Sequence, residues 1–195
     1  MSIELERIEA ILTECARSMA NAPRAAPDVQ RAADAVVAAL RGGGRALLCG
    51  NGGSASDAQH IAAELVGRLG RERPGMAAEA LTVNPSTLTA LSNDYGYERV
   101  FARQVEAVGR PGDVLIGLST SGGSLNVVEA LHAARDRGLT TVALTGERGG
   151  PVAEAADIAV RAPATRTQRV QELHIAIGHA LCEVVEDELH PAEGA

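Results

Sequence analysis

A three-layer α/β sandwich, with helices on both faces of a five-stranded parallel sheet, is the fold this sequence predicts, and three observations predict it. Short apolar runs alternate with helical patterns along most of the chain. Those runs are too apolar to leave one face in water, which marks parallel strands covered on both sides. Two of them, at 46–49 and 114–118, break into turns of glycine, serine and small polar residues that feed a helix. In a doubly wound sheet such turns gather beyond the carboxyl ends of the strands, where ligands bind at a topological switch point.

Taken in order, Ile3, Ile8, Ile11, Leu12 and Cys15 stand at mostly helical spacing and predict a helix over Ile3–Ala20. A second helical pattern runs over 27–40 until Gly42-Gly43-Gly44 stops it, so the chain is expected to open with a helical hairpin. Strands are predicted at 46–49, 78–83, 114–118, 141–145 and 158–160, and helices at 54–69, 85–91, 98–108, 124–137, 151–155 and 166–188. We expect one domain over 1–195, with the hairpin at 1–41, the α/β core at 42–189 and a frayed tail from His190.

At 195 residues the chain is long enough for a full core, and with 46% hydrophobic but only 2% aromatic residues that core must be Ala, Val, Leu and Ile. A net charge of −7 argues against a general nucleic-acid surface and for a small-molecule partner. Cys15, Cys49 and Cys182 are odd in number, widely spaced and set in apolar patterns, so reduced, buried thiols are expected. No run reaches the roughly 18 apolar residues of a membrane span, and the first residues lack a basic signal-peptide start, so a cytoplasmic protein is expected.

The chemistry concentrates in the turns. Asn51-Gly52-Gly53-Ser54 follows the first run without the spacing or the downstream acid of a dinucleotide fingerprint, and without the Gly-Lys-Ser/Thr of an NTPase loop. Alone, it reads equally as a tight strand-to-helix turn that needs glycine. The second turn says more: Ser119, Thr120, Ser121 and Ser124 place four hydroxyls around Gly122-Gly123. Helix capping needs one. Such a density of donors at a helix N-terminus fits a phosphate.

Two weaker signals lie on helices. His60 and Glu64 stand at i and i+4, the spacing of a general base or metal-ligand pair and equally of a surface hydrogen bond. On the last helix Gln171, Ile175 and His179 share one stripe and His174 lies off it; polar residues there also suit an oligomer interface.

Together, Cys49-Gly50-Asn51-Gly52-Gly53-Ser54, His60-Ile61-Ala62-Ala63-Glu64-Leu65, Ser92-Asn93-Asp94, Gly112-Asp113-Val114-Leu115, Ser119-Thr120-Ser121-Gly122, Leu144-Thr145-Gly146 and Gln171-Glu172-Leu173-His174 resemble the sugar isomerase (SIS) domain family over nearly the whole chain. Within it they are most similar to the sedoheptulose 7-phosphate isomerases. The resemblance implies a flavodoxin-like doubly wound sheet and an aldose–ketose isomerase that yields D-glycero-D-manno-heptose 7-phosphate through a cis-enediol. It implies phosphate contacts from Ser119, Thr120, Ser121 and Ser124, and a sugar site lined by Asn51, Gly52, Gly53, Ser54, Glu64, Asn93, Asp94 and Gln171. It also implies one Zn2+ held by His60, Glu64, Gln171 and His179, and a homotetramer. Glu64 is expected as the base, since partial desolvation raises a carboxylate toward neutrality, and His179 as the acid. Where the family carries an acidic residue just before Arg169, this chain has Gln168.

The competing readings are a non-catalytic SIS adaptor of the replication-initiator-associating type, a sugar-phosphate-sensing regulatory domain, and an isomerase of another sugar phosphate. An adaptor does not require Glu64 and His179, and a regulatory domain is expected beside a basic DNA-binding segment, which these 195 residues do not contain.

Overall fold

The computed structural model describes residues 3–191. Five strands, β1 (Ala46–Gly50), β2 (Ala78–Ala80), β3 (Val114–Ser119), β4 (Thr140–Thr145) and β5 (Ile158–Arg161), form one all-parallel sheet in the order β2-β1-β3-β4-β5. β1 and β3 are buried along their whole length, as strands covered on both faces must be.

Alternating side chains send Leu48, Ile116, Leu118 and Leu144 to one face, where helices α2 (Ala26–Arg41), α3 (Gly53–Val66) and α8 (Thr167–Leu189) cover them. Leu47, Leu115 and Ala143 go to the other face, under α5 (Val100–Val108), α6 (Leu125–Asp136) and α7 (Gly150–Ala155). Phe101, the single phenylalanine, is fully buried in that second layer, and apart from Cys49 the rest of it is aliphatic. Among the described residues no helix is long and apolar enough to cross a membrane.

The elements fall close to where the sequence places them, with four differences. β2 stops at Ala80 rather than reaching 83: it is an edge strand, and after Leu81 donates to the Leu48 carbonyl the chain turns toward Asn84, which caps α4 (Pro85–Tyr95). α4 runs on to Tyr95, so Asn93 and Asp94 lie in its last turn. A 3-10 turn, Ala22–Ala25, joins the two opening helices, but α1 (Ile3–Ala20) leans on α8 rather than along α2. Arg169 Nη1 donates to the Ile11 carbonyl at 2.9 Å in that contact. Cys49 and Cys182 are buried as expected, whereas Cys15 on α1 is half-buried; all three thiols are free. Ala192–Ala195, most of the expected tail, lies outside the described residues.

The topology fixes where a site can form. From β1 the chain crosses to β2 on one side, then returns past β1 to β3 on the other, so β1 and β3 flank the switch point. Gly50 pairs with Leu118, so the two Gly/Ser loops leave the sheet side by side.

Candidate active site

The first loop is shaped by glycine. Gly52 has φ +55°, which costs an L side chain and costs glycine little, and it directs the chain into α3. Asn51 ties this loop to the second. Its Nδ2 donates to Asn126 Oδ1 at 2.9 Å, and its Oδ1 accepts from Asn126 Nδ2 at 2.8 Å and from the Tyr97 hydroxyl at 3.0 Å. Asn126, in the first turn of α6, is buried. Neither Asn126 nor Tyr97 stood out in the sequence; the signal for Asn126 was its place directly after the Ser/Gly turn.

In the second loop Gly122 has φ +71°, and a Cβ there would sit 1.9 Å from the Gly149 carbonyl oxygen, so only glycine lets the two loops meet. Ser119 and Ser124 share a hydroxyl–hydroxyl bond of 2.8 Å, and Ser121 Oγ accepts from the Gly123 N–H at 3.2 Å. Ser124 is the N-cap residue of α6, yet its side chain makes no capping bond. The Ser124 hydroxyl is therefore not consumed by the helix, and of the first N–H groups of α6 Val127 donates to the Ser124 carbonyl while those of Leu125 and Asn126 precede any helical acceptor. Thr120 and Ser121 open on a polar cavity of about 300 Å³, also lined by Gly146, Arg148, Thr165 and Thr167.

The weak helical signals converge. His60 and Glu64, on α3, are joined by an Nε2–Oε1 contact of 3.1 Å, and His179 of α8 brings its Nε2 to 3.0 Å from that of His60. The two rings are 5.1 Å apart and tilted by 54°. One donor atom from each of the three residues lies within 4.8 Å of the other two, and Glu64 keeps 22% side-chain exposure. Two imidazole nitrogens and a carboxylate oxygen so gathered are a donor set that zinc accepts.

Gln171, two turns before His179, lays its carboxamide on Gly53: a Cβ at residue 53 would come within 1.6 Å of Gln171 Nε2. Ser54 is buried behind it. Asn93 Nδ2 donates to Asp94 Oδ1 at 2.8 Å, and both side chains are exposed at the end of α4, four and three residues before Tyr97. Gln168 is exposed in the first turn of α8.

Two buried polar groups lie on the same two helices. Asp57, one turn before His60, is buried with Oδ2 unpartnered; burial pushes its carboxyl up, and His60 pulls the other way. His174 is fully buried, and neither ring nitrogen makes a hydrogen bond of ordinary geometry. Burial drives its pKa down to about 4, opposed only by the main chain of Thr145.

An open, doubly wound α/β sheet with two Gly/Ser loops at its switch point and a His60–Glu64–His179 cluster between α3 and α8 defines a class, the α/β domains that bind a ligand beyond the carboxyl ends of their strands. The SIS domain family model matches residues 11–146. The phosphoheptose isomerase of Rhodospirillum rubrum is 56% identical over 164 residues, 84% of this chain and 87% of that one. The structure of phosphoheptose isomerase GmhA from Neisseria gonorrhoeae superposes with a TM-score of 0.88 at 44% identity, over 94% of this chain and 98% of that one. A phosphoheptose isomerase from Francisella tularensis gives 0.91 at 36% identity, over 96% and 100%. The chain belongs to the SIS domain family and, within it, to the phosphoheptose isomerases.

Proposed function

We propose that this protein interconverts sedoheptulose 7-phosphate and D-glycero-D-manno-heptose 7-phosphate, an intramolecular aldose–ketose isomerisation carried by one SIS domain. The observation that carries the reading is the meeting of His60, Glu64 and His179 between α3, which starts from the first switch-point loop, and α8. An adaptor has no use for that acid–base cluster.

Glu64 takes the proton from C1 of the ketose while His179 protonates the C2 oxygen, giving a cis-enediol. Glu64 then returns a proton to C2 as the O1 proton leaves to His179, and the aldose results. Ser119, Thr120, Ser121 and Ser124 hold the phosphate with the free N–H groups at the start of α6, where the helix dipole favours an anion. Asn51, Gly52, Gly53, Ser54, Asn93, Asp94 and Gln171 line the sugar chain. His60, Glu64, Gln171 and His179 would hold a zinc ion, which supplies carbonyl polarisation and fixes the constellation when bound.

The chain acts as a homotetramer in the cytoplasm in this reading. Leu5, Ile8, Ile11 and Leu12 of α1 are 41–63% exposed, an apolar surface that a second copy would cover. An apolar groove of about 330 Å³ between Pro23, Ala26 and Val29 and Ala176 and Ala180 of α8 supports the same assembly. Three free thiols fit a reducing compartment.

Anomeric proton NMR of the protein with sedoheptulose 7-phosphate, with added zinc and after chelation, tests the function. Aldoheptose 7-phosphate signals are expected. A folded protein that binds the sugar phosphate and forms no product under any metal condition would refute it.

A further inference from the structure

Seven residues past His179 on α8, Glu186 is buried against Arg73 of the loop that follows α3, with side-chain exposures of 3% and 2%. Each Glu186 oxygen accepts two bonds. Glu186 accepts from the N–H groups of Leu69 at 3.2 Å, Gly70 at 2.9 Å and Arg71 at 3.1 Å, and from Arg73 Nε at 3.0 Å. Burial works against its charge, but those donors outweigh it and hold its carboxyl below the usual range. Arg73 turns its Nη groups to the carbonyls that end α3, Glu64 at 2.8 Å, Leu65 at 2.8 Å and Gly67 at 2.9 Å, and to that of Pro74 at 3.1 Å.

A buried ion pair is a poor device for stability alone, because desolvation offsets most of its Coulomb energy and apolar residues often serve as well. What this one does is join two helices at one height. α3 and α8 meet at three levels. Gln171 rests on Gly53; Gly178 touches Ile61, where a Cβ would lie 2.6 Å from Ile61 Cδ1; and Glu186, through Arg73, grips the carbonyl of Glu64 itself. The meeting of His60 and Glu64 with His179 falls along this seam.

We propose that Arg73 and Glu186 are positioning residues for the isomerisation: the pair sets the height of the Glu64 turn against His179, so that base and acid stand on either side of the enediol. This rests on the isomerase reading above. Placement of reacting groups is where small errors are costly, a displacement of about 1 Å costing on the order of 10²-fold in rate. Neither side chain touches a side chain of the cluster, and Arg73 reaches Glu64 only at its main-chain carbonyl, so the effect travels through the α3 backbone.

Glu186→Gln tests this, since it keeps the size of the side chain but removes the charge and turns one acceptor into a donor. We expect a folded variant whose KM for sedoheptulose 7-phosphate stays within about twofold while kcat falls tenfold or more, with partial recovery in Glu186→Asp. In the metal-free protein, the imidazole NMR signals of His60 and His179 are expected to shift as their Nε2–Nε2 contact is lost. Native kcat with unmoved imidazole signals would overturn the proposal, as would a KM rise that accounts for the whole loss. If the native protein turns nothing over, the isomerase reading fails by itself, and the imidazole signals still decide whether the pair positions the cluster. Should Glu186→Gln not fold, Arg73→Lys, which keeps the charge pair but not the grip on the Glu64 and Leu65 carbonyls, carries the same readouts.

Discussion

His60 and His179 face each other Nε2 to Nε2 at 3.0 Å, although 119 positions separate them in the chain. Two neutral imidazoles can share one N–H···N bond, whereas two imidazolium rings would repel. With Glu64 alongside, the site is suited to a cation between the rings. Zinc added to metal-free protein is expected to bind at about one equivalent per chain, and His179→Ala to weaken that binding about a hundredfold or more. Competition against a chromogenic chelator measures it. Equal affinity in the variant would remove His179 from the ligand set.

Gly53 and Gln171 are interlocked. Gly53→Ala must push the Gln171 carboxamide aside, an overpacking expected to cost about 1–3 kcal/mol of stability and to lower turnover. Adding Gln171→Ala should restore most of the stability but not the turnover. Denaturant unfolding of the two single variants and the double variant gives the coupling; additive losses would mean that the contact is not made.

Ser121→Ala is expected to act on binding. Its hydroxyl accepts only from the nearby Gly123 N–H and otherwise faces the polar cavity, so the fold should be indifferent to its loss. A hydrogen bond to a charged phosphate is worth about 1.5–3 kcal/mol. KM should therefore rise about tenfold or more with kcat nearly kept, and an unchanged KM in steady-state kinetics would count against the cradle.

His174 gives the stability a pH dependence of definite sign. Its folded pKa is about 4 against about 6.5 unfolded, so between those values the unfolded chain takes up a proton that the folded chain refuses. Stability contributed by the neutral ring is present above pH 6.5 and is lost as the pH falls, by about 2 kcal/mol between pH 7 and 5. His174→Leu should flatten that part of the slope in denaturant titrations at the two pH values. A slope identical to the native one would show that His174 is not the group responsible.

Much of this was legible in the chain. Helical spacing placed α1 at its observed limits, and short apolar runs, those of β1, β3 and β4 set off by glycine, placed β1, β3, β4 and β5 within a residue or two. In the second turn Ser124 stands at the N-cap of α6 without a side-chain capping bond, so the density of hydroxyls read there is not spent on the helix. The rest was hidden for physical reasons. β2 was read too long because an apolar run does not reveal that it lies on a sheet edge. The His60–Glu64–His179 cluster was two weak pairs until the topology laid α8 against α3. Arg73 and Glu186 lie in charged stretches that read as solvated surface, although Glu186 falls on the apolar stripe of Cys182, Val185 and Leu189. Asn126 and Tyr97 act only through the partner that the fold supplies, Asn51.

Turnover of sedoheptulose 7-phosphate by the native protein and by Glu64→Gln, followed side by side by anomeric proton NMR, bears most directly on the central claim. The native protein should form aldoheptose 7-phosphate. Glu64→Gln should keep its fold and its affinity for the sugar phosphate and turn it over about 10²- to 10⁴-fold more slowly, the usual contribution of a general base. Near-native turnover by Glu64→Gln would contradict the account.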